Sequence, residues 1–199
     1  PFLSANYAIN DNNNISYAFS SRMKRPSFWE LNPVKTLLTE FNYTQNNPFV
    51  KASSIYSHEL TYMYKSSYFL ILNHSLIKDA ITEVPLQGVI DGKNQLRYIR
   101  TNFGNNQEMS AMVGMQKSFF KGYLTSNFNI GMQRNVNNAS LNEDPITGDI
   151  FPVYENNKSS NSLLIQTNNN IRLDKNKTWF LGVNYFYVDK QQIELGQLN

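Results

Sequence analysis

Apolar and polar residues alternate with a repeat of two along most of this 199-residue chain. Ile15, Tyr17 and Phe19 alternate with Ser16, Ala18 and Ser20. Leu124, Phe128, Ile130 and Met132 share a parity opposite Thr125, Asn127, Asn129, Gly131 and Gln133. Ile165, Ile171 and Leu173 oppose Gln166, Asn168, Asn170 and Arg172, and Trp179, Leu181, Val183, Tyr185 and Tyr187 oppose Gly182 and Asn184. Successive side chains of an extended chain point to opposite faces, so each run reads as a strand with one apolar and one polar face. No helical stripe of comparable length interrupts them. The chain reads as all-β.

The connections sort by length. Short polar ones fall at 10–14, 65–67, 119–122 and 174–177, and long irregular ones at 25–53, 84–94 and 137–160. Reading 95–118 as one strand, bulged near Gly104, makes short and long alternate strictly. Eight long strands result, at about 2–9, 15–24, 54–64, 68–83, 95–118, 123–136, 161–173 and 178–194, in an antiparallel up-and-down meander. Short turns on one side and longer loops on the other are the pattern of outer-membrane barrels. Strands of this length also exceed the five or six residues usual in soluble sheets. The pattern predicts a segment of a larger transmembrane β-barrel, its three long loops on one side and its four short turns on the other. Both ends break off within strand-like text, so the chain is expected to be part of a longer one.

Charge placement agrees. A lysine on the lipid face costs about 2–4 kcal/mol at the bilayer midplane and almost nothing at the interface. Lys65, Lys121, Lys175 and Lys177 sit in the short connections, where long stems reach the headgroups. Lys117 has apolar-face parity but lies close to a short turn, and Arg172 falls on the polar face. Tyr62, Tyr64, Tyr68, Phe119, Tyr123 and Trp179 border the short turns as an interfacial girdle would. The competing reading places these aromatics in the core of a soluble sandwich.

Composition adds exclusions. Hydrophobic residues make up 41% and the mean hydropathy is −0.47, values a barrel tolerates because every second residue is polar. No run reaches the roughly 18 apolar residues of a membrane helix. A net charge of +3 with scattered cations does not describe a nucleic-acid binder. Twelve Tyr, 13 Phe and two Trp are too many aromatics for a disordered chain. Cysteine is absent, which removes disulfides and thiolate metal sites.

Candidate chemistry is sparse. His58 and His74, the two histidines, fall on strands that can face each other, but no carboxylates stand at ligand spacing. His74 and Ser75 are neighbours on opposite faces, which does not assemble a nucleophile and its base. Glu143, Asp144 and Asp149 form an acidic loop without the spacing of a calcium loop, and they read as solvated charge. No Gly-rich phosphate loop occurs. The chain is expected not to be an enzyme, with no catalytic, cofactor-binding or metal-ligating residue assigned.

One segment carries a more specific signature. Arg25-Pro26-Ser27-Phe28-Trp29, then Leu31-Asn32-Pro33, then Asn47-Pro48-Phe49, followed by the pair 56–64 and 68–84, resembles the outer-membrane β-barrel family found in Bacteroidetes. That family forms the barrel of TonB-dependent receptor-like proteins. The likeness runs along the chain as strand order and spacing, and the Gly-x-Glu that such barrels often carry is missing from 102–110. The resemblance implies a bacterial outer-membrane location, a barrel of about 22 strands, an N-terminal plug, and contact with TonB through a part outside this chain. The partners implied are outer-membrane lipid and the remainder of the barrel. The function implied is uptake of an unidentified ligand; a passive pore or structural barrel without a plug is the alternative. Within the signature, Pro26, Pro33 and Pro48 cannot continue a ladder, and with Phe28, Trp29 and Leu31 they are expected to form a stiffened, packed lid.

Overall fold

The computed structural model describes residues 1–90, 93–176 and 178–189. In chain order the first strands are β1 (Phe2–Asn10), β2 (Asn13–Lys24), β3 (Thr36–Leu37), β4 (Asn42–Thr44), β5 (Ser53–Tyr64), β6 (Tyr68–Lys78) and β7 (Ile81–Ile90). Then come β8 (Lys93–Asn102), β9 (Asn105–Phe119), β10 (Leu124–Asn138), β11 (Ser140–Glu143), β12 (Ile150–Glu155), β13 (Lys158–Arg172) and β14 (Phe180–Val188). Eight of them form one antiparallel meander in the order β1-β2-β5-β6-β9-β10-β13-β14. The remaining six lie within the three long connections, as a four-stranded sheet β3-β4-β8-β7 and a hairpin β11-β12. All three long connections leave one end of the meander and the four short turns leave the other.

Register turns the alternation into two faces. Tyr7, Ile15, Tyr62, Leu70, Val113, Ile130, Ile165 and Tyr187 form one row across all eight strands, each paired with the next. A row on the opposite face reads Ser4, Ala18, Glu59, Asn73, Ser110, Gln133 and Ser162. Leu181, Val183 and Tyr185 share the apolar face, and Gly182 and Asn184 the polar one. Nothing among the described residues covers the apolar face: Val113 is 55% exposed and Met132 62%. A water-soluble sheet would bury such a face on a second layer. The buried apolar cluster among the described residues, Val84, Ile99, Phe103 and Ala139, lies instead in the long connections.

Three boundaries differ from the sequence reading. The strand expected at 95–118 is two strands, parted at Phe103 and Gly104. Ala80 N–H donates to Gly104 O (3.0 Å) and Phe103 N–H to Ala80 O (2.8 Å), pinching the connection into a neck. Gly104 has φ +72°, and a Cβ there would stand 2.2 Å from Asn138 O, so the position is a close approach as well as a left-handed one. The strand expected at 68–83 ends at Lys78, because Asp79 turns to φ +53°. Its N–H meets the Asn105 side chain and its carbonyl the Asn102 side chain. The irregular loop expected at 84–94 is instead mostly paired strand, the greater part of β7 and the start of β8. The last strand, expected to run to 194, is β14; positions 190–194 and Lys177 lie outside the described residues.

Candidate functional site: a loop cap over the polar face

The three long connections fold together. β4 pairs in parallel with β8, and Gln45 and Asn47 extend the contact with N–H donations to Tyr98 O and Arg100 O. The β11-β12 hairpin packs on β7-β8 through the stacked rings of Phe103 and Tyr154 (5.6 Å) and the Arg97–Asp144 ion pair. Arg97 is buried and Asp144 is largely shielded, their side chains 10% and 13% exposed. Although burial pushes the Asp144 carboxyl up, the N–H groups of Ile146 and Thr147, with Arg97, hold it below the ordinary aspartate range.

The cap leans over the polar face. Lys24, Ser53, Ile55, Ile77 and Asn106 share that face at the loop end of the wall. They line one side of a cavity of about 460 Å³ whose other side is Glu30 and the β7-β8 residues Thr82, Glu83 and Arg100. Arg100 stands between two carboxylates, with Nη1 3.5 Å from Glu30 and Nε 3.6 Å from Glu83. Both distances exceed those of tight charge-assisted bonds, and Arg100 is 49% exposed, so each contact contributes at most about 1 kcal/mol. Glu30 is fixed by a reciprocal capping arrangement, accepting from Ser27 N–H (2.7 Å) while its own N–H donates to Ser27 Oγ (3.3 Å). The Ser27 N–H holds its carboxyl below the usual glutamate range. Ser53 is 1% exposed, and its hydroxyl has no hydrogen-bond partner among the described residues. Leaving such a group unsatisfied costs about 1–3 kcal/mol. A second cavity, about 580 Å³, opens between the hairpins beside Pro85, Gln95, Phe151 and Tyr154.

The residues singled out in the sequence fall elsewhere. His58 and His74 are cross-strand partners on the apolar face, rings 6.0 Å apart. His58 Nδ1 meets Tyr17 OH at 2.8 Å and its ring packs on Phe19, a wall setting. No group of three His, Cys, Asp or Glu among the described residues is placed to hold a metal ion. The acidic loop is not plain solvated charge, because Asp144 is largely shielded and paired with Arg97. Asp149 accepts from Thr147 Oγ1 (2.6 Å) and belongs to the hairpin turn. The Pro-rich segment does not form the packed lid expected: Phe28 and Trp29 meet edge to face but stay 79% and 74% exposed. Lys117 lies beneath the Tyr68 and Phe119 rings, at 5.8 and 5.9 Å, in the girdle beside the short turns. Sequence reasoning missed Arg100, Glu83 and Ser53 because they carry no local motif and converge only through the neck at Gly104.

A single sheet with one uncovered apolar face, short turns at one end and a folded cap at the other defines the wall of an outer-membrane barrel. The chain belongs to the Outer membrane protein beta-barrel family, whose model matches residues 1–198, and its place is the bacterial outer membrane. The crystal structure of a ferric enterobactin receptor from Pseudomonas aeruginosa, a double mutant, has a similar fold, with a TM-score of 0.52 at 15% identity. The match covers 88% of this chain and 33% of the receptor, so the chain spans about a third of that protein's length. No curated protein matches the sequence.

Proposed function

We propose that this chain is part of the barrel wall of a TonB-dependent outer-membrane receptor, a non-enzymatic protein that takes up a ligand from outside the cell. The observation that carries the reading is the inward-leaning cap, which narrows the mouth on the polar side and offers a polar chamber there. Loops locked together by a part-buried ion pair and a four-residue apolar core suit a closed mouth better than an open one. The fold likeness to a ferric enterobactin receptor supports the same reading. On it, the two edges β1 and β14 continue into further strands, and the polar face surrounds a plug through which TonB acts. The Pro-rich motif supports a source among Bacteroidetes.

Planar-bilayer conductance of the full-length parent protein tests this without knowledge of the ligand. A plugged receptor stays closed and opens reversibly when urea loosens the plug. Steady open conductance in plain buffer refutes uptake and selects the passive pore.

A further inference from the structure

The chamber between wall and cap has a charge pattern that selects its ligand. Two cations, Lys24 and Arg100, and two carboxylates, Glu30 and Glu83, line it together with the apolar side chains of Ile55 and Ile77. A purely anionic ligand would meet Glu30 and Glu83, and a purely cationic one Lys24 and Arg100. A neutral polyol would take charged groups out of water without an opposite charge to replace it. A ligand bearing both signs at once satisfies all four. The bracketing of Arg100 is loose and half exposed, so the guanidinium can exchange a carboxylate of the protein for one of the ligand. The exchange frees Glu83 to receive an ammonium. The buried Ser53 hydroxyl, paired in register with Lys24, is a ready donor to the same incoming carboxylate. A volume of about 460 Å³ lies in the range of small-molecule sites.

We propose that this chamber binds short peptides with free termini, the carboxylate held by Arg100, Lys24 and Ser53, the ammonium by Glu83 and Glu30, and an apolar side chain against Ile55 and Ile77. The assignment deepens the uptake reading and rests on it for its role in the cell.

The test is calorimetric titration of the detergent-solubilised full-length protein with the dipeptide Leu-Leu and with its acetylated, amidated form. Leu-Leu should bind, and blocking both ends should weaken binding about tenfold or more. Arg100→Gln and Glu83→Gln should each do the same, while Asp149→Asn in the outer hairpin leaves affinity unchanged. Equal binding of the blocked peptide, or binding that survives both chamber substitutions, overturns the assignment. Bilayer conductance of each variant, opened with urea where it is closed, verifies that it still forms the same barrel. Absence of Leu-Leu binding by a protein that is closed in the bilayer removes the peptide site and leaves uptake standing. Binding by a steadily open pore removes uptake and leaves the site.

Discussion

Ile99→Ala should loosen the cap and leave the wall intact. Ile99 is fully buried in a cluster with Val84, Phe103 and Ala139, which joins β7-β8 to the connection that carries β11-β12. Removing its outer carbons from a site that cannot collapse freely costs about 3 kcal/mol, within the range for large-to-small core changes. That is on the order of a 100-fold shift in the equilibrium between closed and open cap. The wall does not share the cost, because its apolar row faces lipid and its strands hold through their own ladder. Hydrogen exchange read by mass spectrometry on the full-length protein should therefore show faster exchange in β8. Its bonds to Phe41 O and from the Gln45 and Asn47 N–H groups belong to the cap. Segments of β9 and β10 nearer the short turns should keep their protection. Equal loss in cap and wall would show that the two are one cooperative unit. No loss in β8 would show that the buried cluster does not hold the cap.

Three further outcomes follow from the same geometry. Gly104→Ala places a methyl on Asn138 O at a left-handed φ, costing about 2 kcal/mol or more; tryptic cleavage after Arg97 or Arg100 should appear in the folded protein. The Asp144 carboxyl is held below its ordinary value near 3.8, so its contribution is complete above about pH 4 and is lost as pH falls through the lower folded value. Pepsin cleavage after Leu141 in the same hairpin should rise below about pH 4, relative to an unstructured peptide in the same tube, and Asp144→Asn should remove that step. Val183→Arg should destabilise insertion by up to about 2–4 kcal/mol, and Asn184→Arg by much less, in urea titrations of the vesicle-folded parent; equal costs would mean the faces are misassigned.

The wall was legible because each of its residues answers to one question, lipid or polar interior, and the strand answers it with strict parity. Ile130 and Asn129 could be placed from their spacing alone, and register puts them on opposite faces. The cap was not legible by that rule. Strand-like text runs on from β8 into β9, so nothing local in 95–118 distinguishes a strand that continues from one that turns back at a neck. Gly104 was visible as an irregularity, but a bulge and a break use the same residue, and the deciding contacts come from Ala80 and Asn138. Asp144 shows the same limit. Among Glu143 and Asp149 it looks solvated, and its partner Arg97 lies on a different connection.

Parity also has to account for the polar residues that fall on the apolar face. Ser126, Thr167 and Asn169 share that face with Phe128 and Ile130, where an unsatisfied polar group would meet hydrocarbon at a cost of several kcal/mol. The structure resolves the conflict by closing the groups on one another. Ser126 Oγ donates to Asn169 Oδ1 at 2.7 Å, and Asn169 Nδ2 donates to Thr167 Oγ1 at 2.9 Å and to Val183 O at 3.4 Å. The cluster also sits in the half of β10 and β13 nearer the short turns, where the aromatic girdle marks the approach to water. Tyr17 OH and His58 follow the same rule further along the wall, each providing the other's partner. A polar residue on the lipid face is thus tolerated as one member of a pair across the ladder, and the pair, not the residue, is the unit that alternation has to be read in.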